Sequence, residues 1–552
     1  MGLCDKLLNL DRNTSITQYL ANLSNADFMQ EADSLFEKSD AIQEQLLMQM
    51  LSYAEDSIFG QKYGFANITS LDDFRKHLPV LSWKDYEPYV EQLVEGKENV
   101  LFPGKATFFT MTSGSSGKEK YIPDNAMSAC ARNLVLRWRL KHLFKFIPNL
   151  MEGKFLPLSN APTLSKTPSG IPYGTASGLT LEKSGLDKIM AYPLSILLNT
   201  DNASTDYLLM RFAIEQENVL FVFGNNAARM TGLVRMAEEN KEEILHDIER
   251  GSVKESLKLD PAVRKEVEKS LKPNPERTAA LRALIAEGKP FTPATYWRKM
   301  RLAMFWLSSS VGHYVDELRP YFASPVQFMD AGYGSSEAKF NIPMEPEEKA
   351  GALSIATSFY EFIPVEGGEP LMAHQLEMGK EYELVVTTWA GLYRYNMKDI
   401  ICVDGFVGNT PKISFVRKSS EILNVVGEKI PASAVNDCVH QVLKEKGVAV
   451  RQVQVYPDLE HRRYACYVEP MEGTLSVLPE WEEEMNAKLA EQFQIFEFAR
   501  LQNLLNPMVL IPMKEGWQES LYAKKLKSGI TKSQLKLPVL ILEPADEIWK
   551  VQ

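Results

Sequence analysis

A chain of 552 residues is too long for one ordinary hydrophobic core, so two or more domains are expected. Hydrophobic residues make up 45% and charged residues 24%, the balance of a globular protein rather than a disordered one. A formal charge of −11 without a basic tract excludes a nucleic-acid footprint, and no run of about 18 apolar residues offers a membrane span. Cys4, Cys130, Cys402, Cys438 and Cys466 are scattered without a CxxC pair, which fits reduced thiols better than disulfides or a metal site. The histidines show no ligand spacing. Lys6 stands where a myristoylation signal needs Ser or Thr, and no apolar leader pattern occurs near the start, so a cytoplasmic protein is expected.

Residues 16 to 57 carry apolar positions at helical spacing (Leu20, Leu23, Phe28, Leu35, then Leu46, Leu47, Met50, Leu51) and predict a helical N-terminal layer. Ser82 reads as the N-cap of a short helix. Lys105–Phe109 reads as a strand end, and Asn125 to Phe146 as a helix whose Arg132, Arg137 and Arg139 are expected in solvent or against a carboxylate. Phe155–Leu158 and Val219–Phe223 read as buried strands, Ser165 to Gly178 as a loop, and Ala228 to Glu243 as a helix. The apolar Met230, Leu233, Val234 and Met236 of that helix suit core packing better than an acyl pocket. Charged helices follow at 254–271 and 275–287. Strands are expected at 326–330, 353–357, 359–363, 382–388 and 413–417. This is a large α/β domain of mixed sheets and helices. After Lys418-Ser419-Ser420, a polar break suited to a hinge, come strands at 422–426, 450–456 and 463–468, and helices after Pro431 and Pro479. Val435, Cys438, Val439, Val442 and Leu443 share one helical face there. The expected division is a large domain over 1–417 and a small α+β cap over 418–552.

Three stretches carry chemistry. In Thr112-Ser-Gly-Ser-Ser-Gly-Lys-Glu-Lys120, two glycines let backbone N–H groups approach phosphate oxygens, with hydroxyl and ammonium groups completing the cradle. The alternative is a flexible Gly/Ser turn with solvated lysines. The spacing fits neither a Walker A loop nor a nucleophile elbow. Tyr333-Gly-Ser-Ser-Glu337 combines an aromatic face, two hydroxyls and a hard oxygen ligand, though alone it also reads as a turn with a helix-capping glutamate. The third is Gly391-Leu-Tyr-Arg-Tyr-Asn-Met-Lys-Asp399, whose terminal carboxylate can only accept hydrogen bonds. No Ser-His-Asp arrangement or reactive-cysteine context is evident.

In this order and spacing the three resemble the motifs of the plant auxin-responsive Gretchen Hagen acyl-acid amido synthetases and their bacterial relatives, within the adenylate-forming enzymes. The resemblance runs from about Phe59 to the C-terminus. It implies an adenylate-forming N-terminal domain with a C-terminal cap, and an ATP- and Mg²⁺-dependent ligase. Such an enzyme activates a carboxylate as acyl-AMP with release of pyrophosphate, then passes the acyl group to an amine, by resemblance an amino acid. Coenzyme A as acceptor, or a nucleotide-binding protein without catalysis, are the alternatives. The implied nucleotide contacts are Ser113, Gly114, Ser115, Ser116, Gly117, Tyr333 toward adenine, Ser335, Ser336, Asp399 toward the ribose, and Arg417 on the hinge side. Glu337 is the implied Mg²⁺ ligand. Lys120 and Lys536 (in Leu535-Lys-Leu-Pro538) are the implied catalytic cations, with Lys118 less well matched; a solvated tail is the other reading of Lys536. The third motif departs from the family's Tyr-Arg-x-Gly-Asp: Asn396 replaces Arg and Lys398 replaces Gly, and Arg394 is out of register for the missing role.

Overall fold

The computed structural model describes residues 2–551 except 113–119, 184, 309–311, 324, 420, 427, 502 and 528–536. The chain divides into two compact units, Met1–Val416 and Arg417–Gln552.

Three sheets build the first unit. Its early strands are β1 (Phe108–Thr112), β2 (Lys120–Asp124), β3 (Lys154–Pro157), β4 (Thr163–Lys166), β5 (Pro172–Gly174), β6 (Val219–Phe223), β7 (Leu302–Phe305) and β8 (Gln327–Asp330). One sheet has the order β2-β1-β5-β4, and another, parallel throughout, has β3-β6-β7-β8. The parallel strands are almost wholly apolar because helices cover them, which is what parallel strands require. Met230, Leu233 and Val234 are buried in this core, so they pack the fold. The third sheet comprises β9 (Asn341–Pro343), β10 (Gly351–Leu353), β11 (Phe359–Pro364), β12 (Glu381–Thr387), β13 (Tyr395–Val407) and β14 (Thr410–Lys418). Its order is β11-β12-β13-β14-β10-β9.

The N-terminal helices lie on this third sheet. Helix α1 (Ser39–Ala54) buries Ile42, Leu46, Leu47, Met50 and Leu51. Its buried Gln43 accepts from Tyr360 N at 2.9 Å and donates to Ser358 O at 2.8 Å, so a polar side chain joins helix to strand with its bonds satisfied. Helix α2 (Trp83–Val94) begins at Ser82 in a capping box with Asp85. Helix α3 (Ala126–Phe146) follows β2, capped by Asn125.

Three expectations need correction. The stretch 353–357 is not a strand: β10 ends at Leu353, and residues 355–357 form the turn before β11. Lys120–Pro123 is a strand and not the end of a loop: β2 pairs antiparallel with β1, and Pro123 is tolerated because β2 is an edge. The stretch 165–178 is not one loop: β4 and β5 form an antiparallel pair around Gly170 (φ 86°), and a helix starts at Ala176. Strands so short carry too little alternation to be read from sequence.

The second unit holds strands β15 (Ile422–Leu423), β16 (Ile430–Pro431), β17 (Val450–Asp458), β18 (Arg463–Pro470) and β19 (Val509–Pro512). β18 pairs antiparallel with β17 and parallel with β19. Helix α4 (Ala432–Glu445) buries Val435, Cys438, Val439, Val442 and Leu443, the face anticipated from their spacing. All five cysteines are free. Among the described residues, no helix is long and apolar enough to cross a membrane.

Candidate active site

The hairpin β1–β2 closes the first motif, with Thr112 opposite Lys120. Ser113, Gly114, Ser115, Ser116 and Gly117 lie outside the described residues, as does Lys536. Lys120 opens β2 and holds its Nζ 5.3 Å from the centre of the Trp83 ring on α2, a cation–π distance.

The second motif is a tight closed turn. Asp330, at the end of β8, accepts Leu307 N at 2.8 Å and Gly332 N at 2.7 Å, which fixes the direction of the chain as it leaves the strand. Burial pushes that carboxyl up to about 6, against the pull of the two N–H groups and Arg139. Ser335 N donates to Ala338 O at 2.9 Å, Phe340 N to Tyr333 O at 3.0 Å, and Glu337 N to Ser335 Oγ at 3.2 Å. Gly334 and Lys339 face each other in a bridge, and a Cβ built on Gly334 would fall 2.6 Å from Lys339 Cδ. A larger residue at this position would push the lysine stem aside. No helix follows Glu337, so it caps none.

This turn forms one wall of a cleft of about 530 Å³, counting its open mouth. Ser335, Ser336, Glu337 and Lys339 come from the turn; Ser128 and Arg132 from the first turns of α3; Thr357 and Ser358 from the loop before β11; Thr388, Trp389 and Ala390 from the approach to the third motif. Asn125 ties these parts together: its side chain caps α3 and donates to Trp389 O at 2.7 Å. The N-terminus of α3 adds positive potential to the cleft.

Charge in the cleft is uneven. Arg132 grips Asp124 at 2.6 and 3.3 Å, so this arginine meets a carboxylate as expected. Arg137, half-buried, and Arg139 do not meet a carboxylate. Arg137 donates to the carbonyls of Leu20 and Ala21, and Arg139 to those of Asn341 (2.7 Å) and Ala331 (3.2 Å). Both hold backbone that a helical pattern cannot reveal. Lys339 forms neither a hydrogen bond nor an ion pair through Nζ among the described residues. Burial, with Arg139 and Arg132 nearby, pushes its ammonium down to about 7, and Glu337 pulls the other way.

The second and third motifs meet through Tyr333, whose hydroxyl donates to Asp399 Oδ2 at 2.6 Å. Burial first, then Asp399, raises the Tyr333 phenol well above its ordinary range. Its ring stacks on Phe415 (5.4 Å, 29°) and packs on Phe340, leaving 8% of the residue exposed. Tyr333 and Asp399 are thus brought together, and neither is among the residues lining the cleft. Arg417 is buried at the end of β14.

Arg394 has a separate task. It is 4% exposed and binds the buried Glu361 at 2.7 and 3.1 Å and Leu78 O at 2.7 Å. Asn396 and Lys398, the two departures in the third motif, both bond Glu383 on the neighbouring β12, Lys398 at 3.0 Å.

Glu337 fits a Mg²⁺ ligand: it lines the cleft, and its carboxylate forms no ion pair among the described residues. No group of three His, Cys, Asp or Glu that would hold a metal occurs among those residues. Mg²⁺ here would take one carboxylate and complete its shell with phosphate oxygens and water, a common arrangement for this ion. Sequence reasoning passed over Lys339, Asp124 and Thr388. Lys339 alone left a signal, standing two residues beyond Glu337.

The profile described as the GH3 family N-terminal domain matches residues 28–327, and that of the GH3 family central domain matches 351–418. A probable indole-3-acetic acid-amido synthetase GH3.1 of Arabidopsis thaliana is 24% identical over 536 residues, covering 92% of this chain and 90% of that protein. The 4-substituted benzoates-glutamate ligase GH3.12 of the same plant is 25% identical and covers 81% of each. The solved GH3.15 acyl acid amido synthetase superimposes with a TM-score of 0.83 at 20% identity, over 94% of both chains, and shares the fold. With both profiles in chain order across more than half its length, the chain belongs to the GH3 family.

Proposed function

We propose that this chain is an ATP-dependent acyl-acid amido synthetase. A carboxylate delocalises its charge and resists attack. Its oxygen displaces pyrophosphate from the α-phosphorus of ATP, which turns it into a leaving group. The nitrogen of an amine, by likeness to the glutamate ligase an amino acid, then attacks the acyl carbon and AMP departs. The observation carrying this reading is the cleft itself: Ser335, Ser336 and Glu337 converge there with the N-terminus of α3, and Tyr333 joins them to Asp399.

In this scheme Ser113 to Gly117 cradle phosphate and Lys120 adds charge from the start of β2. Ser335 and Ser336 bind phosphate or carboxylate oxygen, Glu337 holds Mg²⁺, and Asp399 and Arg417 serve the nucleotide. Lys536 is the further catalytic cation of this scheme. Bound Mg²⁺ supplies neutralisation of phosphate charge. Preorganised positive potential of this kind is the main means by which such a site lowers its barrier.

The test is incubation with ATP, Mg²⁺, glutamate and a panel of acids including indole-3-acetate and 4-hydroxybenzoate. Acid-dependent pyrophosphate release and a product of amide mass are expected. Thioester formed only with coenzyme A would favour that acceptor, and ATP binding without pyrophosphate release would leave a binding protein.

A further inference from the structure

We propose that Lys339 is the specificity-determining cation that receives the carboxylate of the acyl acid before activation, an assignment that rests on the function proposed above. Among the described residues, the other cations near this wall of the cleft are already engaged. Arg132 is held bidentately by Asp124, and Arg139 spends its donors on the carbonyls of Asn341 and Ala331. Lys339 lines the cleft, its Nζ has no hydrogen-bonded partner among the described residues, and Glu337 is the one carboxylate among them acting on it. Lys339 is half-buried in the cleft wall, and an anion entering the cleft would give its ammonium the partner that the described residues do not supply.

The surroundings say which anion. Ala131 and Val135 of α3, Ala338, Trp389 and Ala390 give the same cleft apolar surface. A cation set in apolar walls fits an organic carboxylate, whose hydrocarbon body occupies the walls, better than a polyphosphate hydrated on all sides. The bridge between Gly334 and Lys339 sets the backbone from which the Lys339 stem crosses Gly334.

The experiment compares wild type with Lys339→Met, Lys339→Gln and Lys339→Arg in pyrophosphate exchange, using the acid from the panel that the wild type activates best. The carboxamide of that acid serves as an uncharged competitor. Removing the charge should raise KM for the acid tenfold or more, leave KM for ATP within twofold, and abolish the preference for acid over carboxamide. Lys339→Arg should recover part of each. A merely structural role would not move the acid-to-carboxamide preference. Unchanged KM and preference in both neutral variants would overturn the assignment, as would a parallel rise in KM for ATP, which would give Lys339 to the nucleotide. A wild type inert toward every acid would instead remove the proposed function on which the assignment stands. Loss of folding in Lys339→Met leaves Lys339→Gln to give the same readout.

Discussion

Lys398 occupies the place where the family pattern has glycine, and it sits at φ 56°, a conformation that costs a side chain roughly 1–2 kcal/mol. The position still demands glycine-like backbone, and the pairing of Lys398 with Glu383 offsets part of the strain. Lys398→Gly should therefore raise stability by up to about 1 kcal/mol in urea unfolding and leave pyrophosphate exchange unchanged; a loss of exchange would give the lysine a part in catalysis. Glu337→Ala should weaken ATP binding by about 1.5–3 kcal/mol when Mg²⁺ is present and hardly at all in its absence. Titration calorimetry with and without Mg²⁺ checks both arms. At this scale the sequence was informative where a motif spells out chemistry, as in Ser335, Ser336 and Glu337. It was silent on Asp124 and Thr388, because only long-range packing brings those side chains to the cleft.

Elements were legible in proportion to their length and periodicity. The helix after the first motif and the runs ending at Phe223 and Asp330 announce themselves, whereas β4 and β5 are too short to show a period. Arg394 illustrates a different limit. It is out of register for the motif's role, and its actual task, joining the start of β13 to β11 through Glu361, which also takes Arg75 at 2.8 Å, is set by long-range packing. Glu361→Gln would leave the buried Arg394 without its counter-charge and should cost about 3–5 kcal/mol of stability. Denaturant unfolding checks this, and a change below 1 kcal/mol would mean that solvent reaches the pair. Arg137 and Arg139 teach the same lesson: an arginine on a helix can hold distant carbonyls, which no periodicity encodes.

For the molecule as a whole, the division into two units follows a change of pattern near residue 418, and the polar Lys418-Ser419 at that point motivates a pivot. We propose that the Lys418-Ser419 break works as a hinge during turnover. Ser419→Pro, which fixes φ, should slow the full cycle more than pyrophosphate exchange alone; equal rates in both assays would remove the pivot. Lys536→Ala should lower exchange by roughly 10²-fold if its ammonium meets the developing phosphate charge, and leave the reaction of supplied acyl adenylate with glutamate much less affected. Unchanged exchange would make the tail a solvated surface. The measurement that bears most directly on the central claim uses a carboxylate labelled with ¹⁸O in both oxygens, incubated with ATP, Mg²⁺ and glutamate. Attack on the α-phosphorus followed by aminolysis predicts one ¹⁸O in the AMP, one in the amide and none in pyrophosphate. Unlabelled AMP, or label in inorganic phosphate alongside ADP, would contradict it.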